Sequence, residues 1–224
     1  YAEFTNNSNY EQDQVNLQYS QYITQTVFRG NRVRQMIHAN LDRLEEGENI
    51  DNKNVFNRFF GLAGADVNSW CGDKESFLGR YHGYNNPEGV ITGKLSNKGN
   101  YNENSCGALS TVLSLAPGET KEITFLVGMK GDAEAGEIVE HYKNCQDVCK
   151  RELEELIEYW HGQLSHFQIR TPSPEFNTMI NTWNAYNCFM TFIWSRAASF
   201  TYCGLRNGYG YRDTVQDIQG VIHL

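Results

Sequence analysis

The chain has 224 residues, a formal net charge of −8 at pH 7 and an aromatic content of 13%. That length suffices for one large domain or two small ones with a substantial core. The acidic balance argues against nucleic acid or an anionic membrane as the main partner. No apolar run of about 18 residues is present, so no membrane-spanning segment is predicted. The six cysteines are irregularly spaced without a nearby histidine pair, which predicts free thiols in a reducing cytoplasm rather than a zinc site.

The first quarter of the chain is predicted to contain one strand and one helix. Aromatic and β-branched residues dominate residues 17–29, which favours a strand. Between residues 32 and 46 the period changes, and the sequence predicts a short surface helix. The apolar residues at helical spacing in this segment are Val33, Met36, Ile37, Leu41 and Leu44.

The middle of the chain returns to a pattern of strands separated by turns. Residues 85–89 (Asn-Asn-Pro-Glu-Gly) and 116–119 (Ala-Pro-Gly-Glu) have the composition of turns. Residues 108–115 and 122–129 flank the second turn. Because neighbouring strands in sequence often pair, we predict that these two segments form a β-hairpin.

After residue 131 the composition becomes helical. Residues 133–166 lack proline and carry apolar residues at helical spacing, which indicates one long amphipathic helix or two in tandem. Ser173 and Pro174 are predicted as the N-cap and first residue of the next helix. That helix, residues 176–190, is apolar nearly all round, so we expect it to be buried among other helices.

The order of these patterns predicts a β part followed by an α part. Residues 1–130 are predicted to belong to a β-sandwich, residues 131–170 to a helical linker, and residues 171–224 to the opening helices of an α-domain. The chain begins without methionine inside a strand-like run and ends in a helical pattern. We therefore expect it to be a piece of a larger protein.

A polar cluster near the end of the chain carries the clearest functional signal. Arg212, Asp213, Gln216 and Asp217 follow a glycine-rich loop at residues 204–210. We expect Asp213 to cap the helix that begins there and Asp217 to lie one turn further along on the same side. Such a cluster suits recognition of a polyhydroxyl ligand, because charged groups make strong hydrogen bonds.

Three arginines lie close together in this part of the sequence, at positions 196, 206 and 212. Their neighbours are mostly apolar or glycine, so each needs an anionic partner, either a nearby aspartate or a bound phosphate. Arg206 is flanked by glycines whose N–H groups can approach an anion. Two carboxylates four residues apart on one helix are poorly placed to flank a bond. We therefore expect Asp213 and Asp217 to bind hydroxyls and balance the arginines.

The chain resembles the disaccharide phosphorylases of glycoside hydrolase family 94, such as the cellobiose, laminaribiose and N,N'-diacetylchitobiose phosphorylases. The resemblance covers most of the chain except residues 32–55, which look like an insertion. The segments that carry it are Phe77-Leu78-Gly79-x-Tyr81, Asn104-x-Cys106-Gly107-Ala108-Leu109, Trp183-Asn184-x-Tyr186, Ser195-Arg196-x-Ala198-Ser199-Phe200 and Arg206-x-Gly208-x-Gly210-Tyr211-Arg212-Asp213-Thr214-x-Gln216-Asp217.

The resemblance implies a fold: an N-terminal β-sandwich, a helical linker and the first helices of an (α/α)6 barrel that holds the active site. It also implies inverting phosphorolysis of a β-linked disaccharide, giving an α-sugar 1-phosphate and a free sugar, with phosphate as co-substrate and no cofactor. The family's general acid lies in a Trp-Asn-Asp motif, which is absent here. We therefore expect this chain alone to be inactive.

The resemblance further assigns roles to individual residues. Arg206 maps to the phosphate-binding arginine, and Arg212 and Asp217 map to the site of the transferred sugar. Arg196, Asp213 and Gln216 belong to the same substrate-binding group. The family forms cytoplasmic homodimers in which part of one sandwich lies over the partner's active site, and residues 13–16 are candidates for that part.

Two other functions remain open on the sequence. One is an inverting hydrolase on an (α/α)6 barrel, which needs a base opposite the acid. The other is a non-catalytic carbohydrate-binding sandwich or an accessory module of a cyclic β-glucan synthase. Dependence of bond cleavage on phosphate separates a phosphorylase from a hydrolase, and a Trp-Asn-Asp motif downstream would mark a catalytic barrel.

Overall fold

The computed structural model of the chain describes residues 1–4, 24–37, 57–101, 103–193 and 211–224. These residues form two compact units, Tyr1–Cys149 and Lys150–Leu224. The first unit is built on strands and the second is helical, so the order of β then α is confirmed.

The described part of the first unit contains seven strands and the helices that cover them. The strands are β1 (Ala2–Glu3), β2 (Thr24–Arg29), β3 (Arg32–Ile37), β4 (Arg58–Ala63), β5 (Ser69–Asp73), β6 (Ser105–Ser110) and β7 (Thr124–Met129). The helices are α1 (Lys74–Leu78), α2 (Glu88–Ile91), α3 (Asp132–His141) and the first residues of α4 (Cys145–Ser165), with a 3-10 turn at Tyr142–Asn144.

The strands form two antiparallel sheets. One has the order β1-β6-β5 and the other the order β2-β3-β4-β7. Buried residues next to or within both sheets meet in one cluster, which contains Phe4, Val33 and Phe60. The ring of Phe28 on β2 stacks on Trp70 of β5 with centroids 5.2 Å apart. The two sheets therefore pack face to face as a sandwich.

Helices cover the outer faces of this sandwich. Phe59 and Phe60 are successive residues of β4 and point to opposite faces. Phe60 faces the sandwich core, whereas Phe59 packs with Ala135 and Val139 of α3. The three-stranded sheet is covered by a second cluster that includes Phe77 of α1.

Two sequence predictions for this unit are wrong. Residues 32–37 form strand β3 instead of the start of a helix, because the turn at Gly30 and Asn31 pairs them with β2. The remainder of the predicted helix lies outside the described residues. Residues 105–110 and 124–129 are both strands, but they do not form a hairpin: β6 pairs with β1 and β5, and β7 pairs with β4.

The prediction of one long helix or two in tandem over residues 133–166 is confirmed in its tandem form, since α3 and α4 follow each other through the 3-10 turn. In the second unit, α5 (Pro174–Thr178) has Ser173 as its N-cap, whose Oγ accepts a hydrogen bond from the N–H of Phe176 at 3.3 Å. This is the predicted cap. A π-helical segment (Met179–Asn184) follows and residues 185–193 continue as helix.

The expectation that this apolar helix is buried is wrong for the chain as it stands. The side chains of Met179, Trp183 and Tyr186 are each about half exposed. The last described helix is α6 (Tyr211–Gln219), which belongs to the same unit.

Candidate functional site

Helix α6 carries four of the six residues that the sequence singled out for substrate binding. Arg212, Asp213, Gln216 and Asp217 all lie between Tyr211 and Gln219. At 100° per residue, Gln216 lies about 40° from Arg212 around the helix axis, and Asp217 lies the same angle from Asp213. All four side chains therefore project from less than half of the helix circumference. The helix places Asp213 and Asp217 on the same side, as their spacing predicted, and Arg212 and Gln216 lie on the same polar face.

Arg212 and Asp213 form an exposed ion pair in this cluster. The Arg212 Nη2 lies 3.5 Å from Asp213 Oδ1, and the two side chains are 86% and 53% exposed. An ion pair this long and this exposed contributes little to stability. Both groups are therefore free to exchange this contact for hydrogen bonds to a ligand.

Asp213 does not cap the helix, contrary to our expectation. Residues 211 and 212 are already helical, so Asp213 lies inside the first turn of α6. Its charge still interacts favourably there with the positive end of the helix dipole. The effect on the site is that the carboxylate projects sideways from the helix, beside Arg212.

Asp217 lies on the better covered side of α6. Its side chain is only partly exposed, in contrast to Arg212 and Gln216. One turn further, Gly220 approaches the 185–193 helix so closely that an added Cβ would lie 3.0 Å from both Cβ and Sγ of Cys188. Glycine at position 220 thus sets how closely the end of α6 packs, and with it the depth of Asp217.

Arg196 and Arg206 lie outside the described residues, so the structure does not test whether they approach α6. Residues 13–16 also lie outside the described part. Among the residues that are described, no group of three His, Cys, Asp or Glu side chains is arranged to hold a metal ion.

Among the described residues, Arg212 and Asp213 on the polar face of α6 are exposed to solvent. The second unit does contain a cavity of about 390 Å³. Its lining is apolar apart from Thr182 and the tyrosine hydroxyl, and it includes Trp160, Leu164 and Phe189. Such a lining offers no charged group for phosphate or a sugar hydroxyl.

Sequence reasoning missed an arginine cluster in the first unit. The carboxylate of Asp132, at the start of α3, accepts hydrogen bonds from Arg29 and Arg32, and Arg34 Nη1 lies 3.3 Å from it. Arg32 and Arg34 are two residues apart on one strand and so share a face. Their spacing was the signal that two charged side chains point the same way. The pKa of Asp132 is lowered, because these arginines outweigh the effect of burial, which acts to raise it.

Family models match both units. The supersandwich domain of glycosyl hydrolase 94 matches residues 1–145, and the catalytic domain of the glycosyl hydrolase 94 superfamily matches residues 159–224. The chain belongs to glycosyl hydrolase family 94. The sandwich and its covering helices are thus the supersandwich domain of family 94, and α6 lies within the match to the catalytic domain.

Several characterised proteins are similar to this family 94 chain. An N,N'-diacetylchitobiose phosphorylase of Vibrio proteolyticus is 32% identical over 218 residues, 96% of this chain and 25% of the relative. A protein of the same name from Vibrio furnissii is 35% identical over 74% of this chain and 20% of the relative. A cyclic β-(1,2)-glucan synthase of Rhizobium meliloti is 28% identical over 71% of this chain and 6% of the relative. The chain therefore spans a quarter or less of the length of these relatives.

No helix in the described ranges of the chain is both long and apolar enough to cross a membrane.

Proposed function

We propose that the full-length protein is an inverting disaccharide phosphorylase. It cleaves a β-linked disaccharide with phosphate and releases an α-sugar 1-phosphate and a free sugar. The observation that carries this proposal is the similarity to an N,N'-diacetylchitobiose phosphorylase over 96% of the chain. The match to the catalytic domain of the superfamily over residues 159–224 supports it independently.

The polar face of α6 supports a role in sugar binding. Arg212 offers up to five N–H donors, and the carboxylates of Asp213 and Asp217 accept hydrogen bonds. A sugar hydroxyl both donates and accepts, so this mixture matches a polyhydroxyl ligand. In the proposal, Arg212 and Asp217 bind the transferred sugar, while Asp213, Gln216 and Arg196 contact it from nearby.

Phosphate binding is assigned to Arg206. Its guanidinium is always charged and pairs with two oxygens of a phosphate at once. Phosphate attacks the sugar directly in this reaction, so one carboxylic acid to protonate the leaving oxygen suffices, whereas a hydrolase needs an acid and a base. That acid belongs to another part of the full-length protein, and no cofactor takes part.

The remaining parts of the proposal concern architecture and assembly. Residues 1–130 form the sandwich domain, residues 131–170 the linker, and residues 171–224 the start of an (α/α)6 barrel. The full-length protein acts as a cytoplasmic homodimer on a soluble disaccharide. The family match to both ends of the chain supports this order of domains.

The test is a cleavage assay of the full-length protein with and without phosphate. N,N'-diacetylchitobiose, cellobiose and laminaribiose are incubated with the protein in phosphate buffer and in a phosphate-free buffer of equal ionic strength. We expect a sugar 1-phosphate and a free sugar in phosphate buffer only. Release of two free sugars without phosphate would instead establish a hydrolase and refute the proposal.

The relative from Rhizobium meliloti motivates a second candidate, an accessory module of a β-glucan synthase. This candidate predicts no phosphorolysis of any disaccharide but processing of a longer β-glucan. Including a β-(1,2)-linked oligosaccharide in the same assay separates the two, because only a phosphorylase specific for short chains leaves it intact while cleaving a disaccharide.

A further inference from the structure

The loop between α1 and α2 holds an aromatic ring out in solvent. Tyr81 is 95% exposed, and its φ of +69° lies in the left-handed region. The guanidinium carbon of Arg80 lies 5.6 Å from the centroid of the ring. Tyr81 also belongs to the segment Phe77-Leu78-Gly79-x-Tyr81, whose first residue is buried in the core. The core contact explains Phe77, whereas Tyr81 has no comparable packing contact within the part of the chain that the structure describes.

Tyr81 differs in residue type from the other non-glycine residues that have a left-handed backbone. Among the described residues, the other non-glycine positions with positive φ are Asn31 and Asn97. Asparagine tolerates this conformation, and both side chains are hydrogen-bonded: Asn31 donates to the carbonyl of Ala65, and Asn97 accepts from the N–H of Trp70. A bulky aromatic residue in the same conformation is a strained exception.

Other residues fix the shape of the loop. Gly79 has a φ of +84° and ends α1. The N–H of Gly83 donates to the side chain of Asn86 at 3.1 Å, and His82 Nδ1 lies 2.9 Å from the carbonyl oxygen of Asn86. These bonds hold the backbone without the ring of Tyr81. A glycine at position 81 would therefore satisfy the fold with less strain.

We propose that Tyr81 and Arg80 form a saccharide-binding platform on the sandwich. The face of an aromatic ring carries negative potential, which attracts the C–H groups on the apolar face of a pyranose ring. The Arg80 guanidinium lies over one face of the ring, so the sugar stacks on the other face, and Arg80 offers donors for hydroxyls at the edge of that sugar. The ligand class is a β-linked oligosaccharide, and this choice rests on the proposed function of the protein.

The surroundings of the ring favour a sugar over a protein partner. The side chains beside Tyr81 in the loop are exposed and polar, including Arg80, His82 and Asn85. The hydroxyl of Tyr84 is already bonded to the carboxylate of Glu3 at 3.0 Å. A stable protein interface buries on the order of 1,000 Å² or more, whereas one aromatic side chain supplies about 150–250 Å². The loop presents the ring of Tyr81 between the exposed polar side chains of Arg80 and His82, and this matches the size of one sugar unit. The exposed apolar side chains of Tyr84, Val90 and Ile91 lie further along the chain.

The experiment uses the full-length protein and the chitin tetrasaccharide as the probe, without phosphate. Hydroxyl-radical labelling read by mass spectrometry reports the accessibility of the Tyr81 ring itself, independently of binding elsewhere. We expect the saccharide to reduce labelling of Tyr81 several-fold. In calorimetric titrations, Tyr81→Gly should weaken the binding event assigned to the platform by about tenfold or more, whereas Tyr81→Phe should retain it.

Stability provides the second measurement. Tyr81→Gly should melt within a few degrees of the wild type, because relief of the strain offsets the extra unfolded-state entropy of glycine and no buried contact is lost. Asn97→Gly is the control for binding: it changes another left-handed residue but no ring, so saccharide binding should be unchanged. Its melting temperature should fall, because the N–H of Trp70 loses its bond to the Asn97 side chain. Unchanged labelling of Tyr81 in the presence of saccharide would overturn the proposal. A fall in the stability of Tyr81→Gly well beyond the roughly 1 kcal/mol that the backbone entropy of glycine can cost would also overturn it, since the ring would then be a packing residue.

Two further measurements distinguish saccharide binding from self-association and the platform from the proposed function. If labelling of Tyr81 falls with protein concentration alone, and Tyr81→Gly dissociates an oligomer in sedimentation, the ring contacts a second copy and the saccharide platform is refuted. Phosphate-dependent cleavage is measured on the same preparation. Protection of Tyr81 without phosphorolysis refutes the proposed function alone, and phosphorolysis without protection refutes the platform alone.

Discussion

Replacing Asp132 by alanine should be among the most destabilising single changes in the sandwich unit. Its carboxylate meets three arginines that come from β2 and β3. The side chains of Arg32 and Arg34 are only 7% and 1% exposed, whereas Arg29 is largely in solvent. The change therefore removes a negative charge from between two buried positive charges.

The expected loss of unfolding free energy depends on which of the three arginines are buried. Breaking a buried ion pair by removing one partner costs about 3–5 kcal/mol, because the remaining charge stays desolvated. The contribution of the exposed Arg29 is within about 0–1 kcal/mol. For a unit of this size, about 1 kcal/mol shifts Tm by roughly 2–4 °C, so we expect a drop of about 6–20 °C.

The assay is thermal and urea unfolding of Asp132→Ala beside Glu134→Ala. Glu134 also lies in the first turn of α3, but it pairs with Lys130 on the surface, where both side chains are about half exposed. That control changes the charge at the same helix end and should cost less than about 1 kcal/mol. If both variants lost the same unfolding free energy, the contacts between Asp132 and the arginines would not stabilise the fold, and the prediction would be refuted.

The same residue predicts an acid dependence. The pKa of Asp132 is lowered in the folded state: burial acts to raise it, but hydrogen bonds from Arg29 and Arg32 outweigh that effect. A carboxylate with a lowered folded pKa stabilises the fold above its unfolded value of about 3.9, and the contribution is lost as the pH falls through the folded pKa. Asp132→Asn should therefore flatten the fall in stability below about pH 4 relative to the wild type.

Three further predictions concern the second unit and the full-length protein. Arg206→Ala should raise the KM for phosphate by about 10- to 150-fold, the loss of one charge-assisted bond, while the KM for the disaccharide changes less; an unchanged phosphate KM would make Arg206 structural. Asp217→Asn should reduce kcat/KM sharply at unchanged Tm, because an amide offers one oxygen acceptor where the carboxylate offers two; loss of Tm with normal specific activity of the folded enzyme would contradict a sugar-binding role. Gly220→Ala should lower the stability of the second unit by about 1–3 kcal/mol in urea unfolding, since its Cβ would crowd Cys188. An unchanged urea midpoint would show that the two segments move apart without a loss of stability.

The helix wrongly predicted after residue 32 shows how a local signal was outweighed. Val33, Met36 and Ile37 do fall at helical spacing, but three matches over six residues are compatible with a strand as well. The stronger signal was the Gly30-Asn31 pair between two runs rich in β-branched residues. Both residues have positive φ, 53° and 59°, as a tight hairpin turn requires. The hairpin of β2 and β3 could thus have been predicted from the Gly30-Asn31 turn.

The pairing of β6 and β7 was wrong for a different reason. The two strands were placed nearly correctly along the chain, but 13 residues separate Ser110 from Thr124. A connection of that length exceeds the usual two to five residues of a hairpin. The turn at residues 116–119 does form, with the N–H of Glu119 bonded to the carbonyl of Ala116 at 2.9 Å. It lies within a crossing between the two sheets, which periodicity alone does not reveal.

The site was more predictable than the sheets because it depends on local spacing. Once residues 211–219 are helical, the positions of Arg212, Asp213, Gln216 and Asp217 around the axis follow directly. The exposure of these four side chains could not be predicted from their spacing, because it depends on which face of α6 packs against the 185–193 helix. The approach of Gly220 to Cys188 decides that, and it joins residues 32 positions apart in sequence.

In the proposal, the exposed residues of α6 bind the ligand, whereas Gly220 at the end of the helix determines its packing. Arg212 and Gln216 are exposed, so truncating either should change the stability of the unit by no more than about 0.5 kcal/mol. A loss of activity in those variants therefore reports contacts with the ligand. Gly220 touches no ligand in the proposal, and a change there alters the packing of α6 together with the position of Asp217. If sugar binding depends on the depth of that carboxylate, Gly220→Ala should reduce activity in the fraction that remains folded, whereas variants of the exposed face reduce activity at full stability.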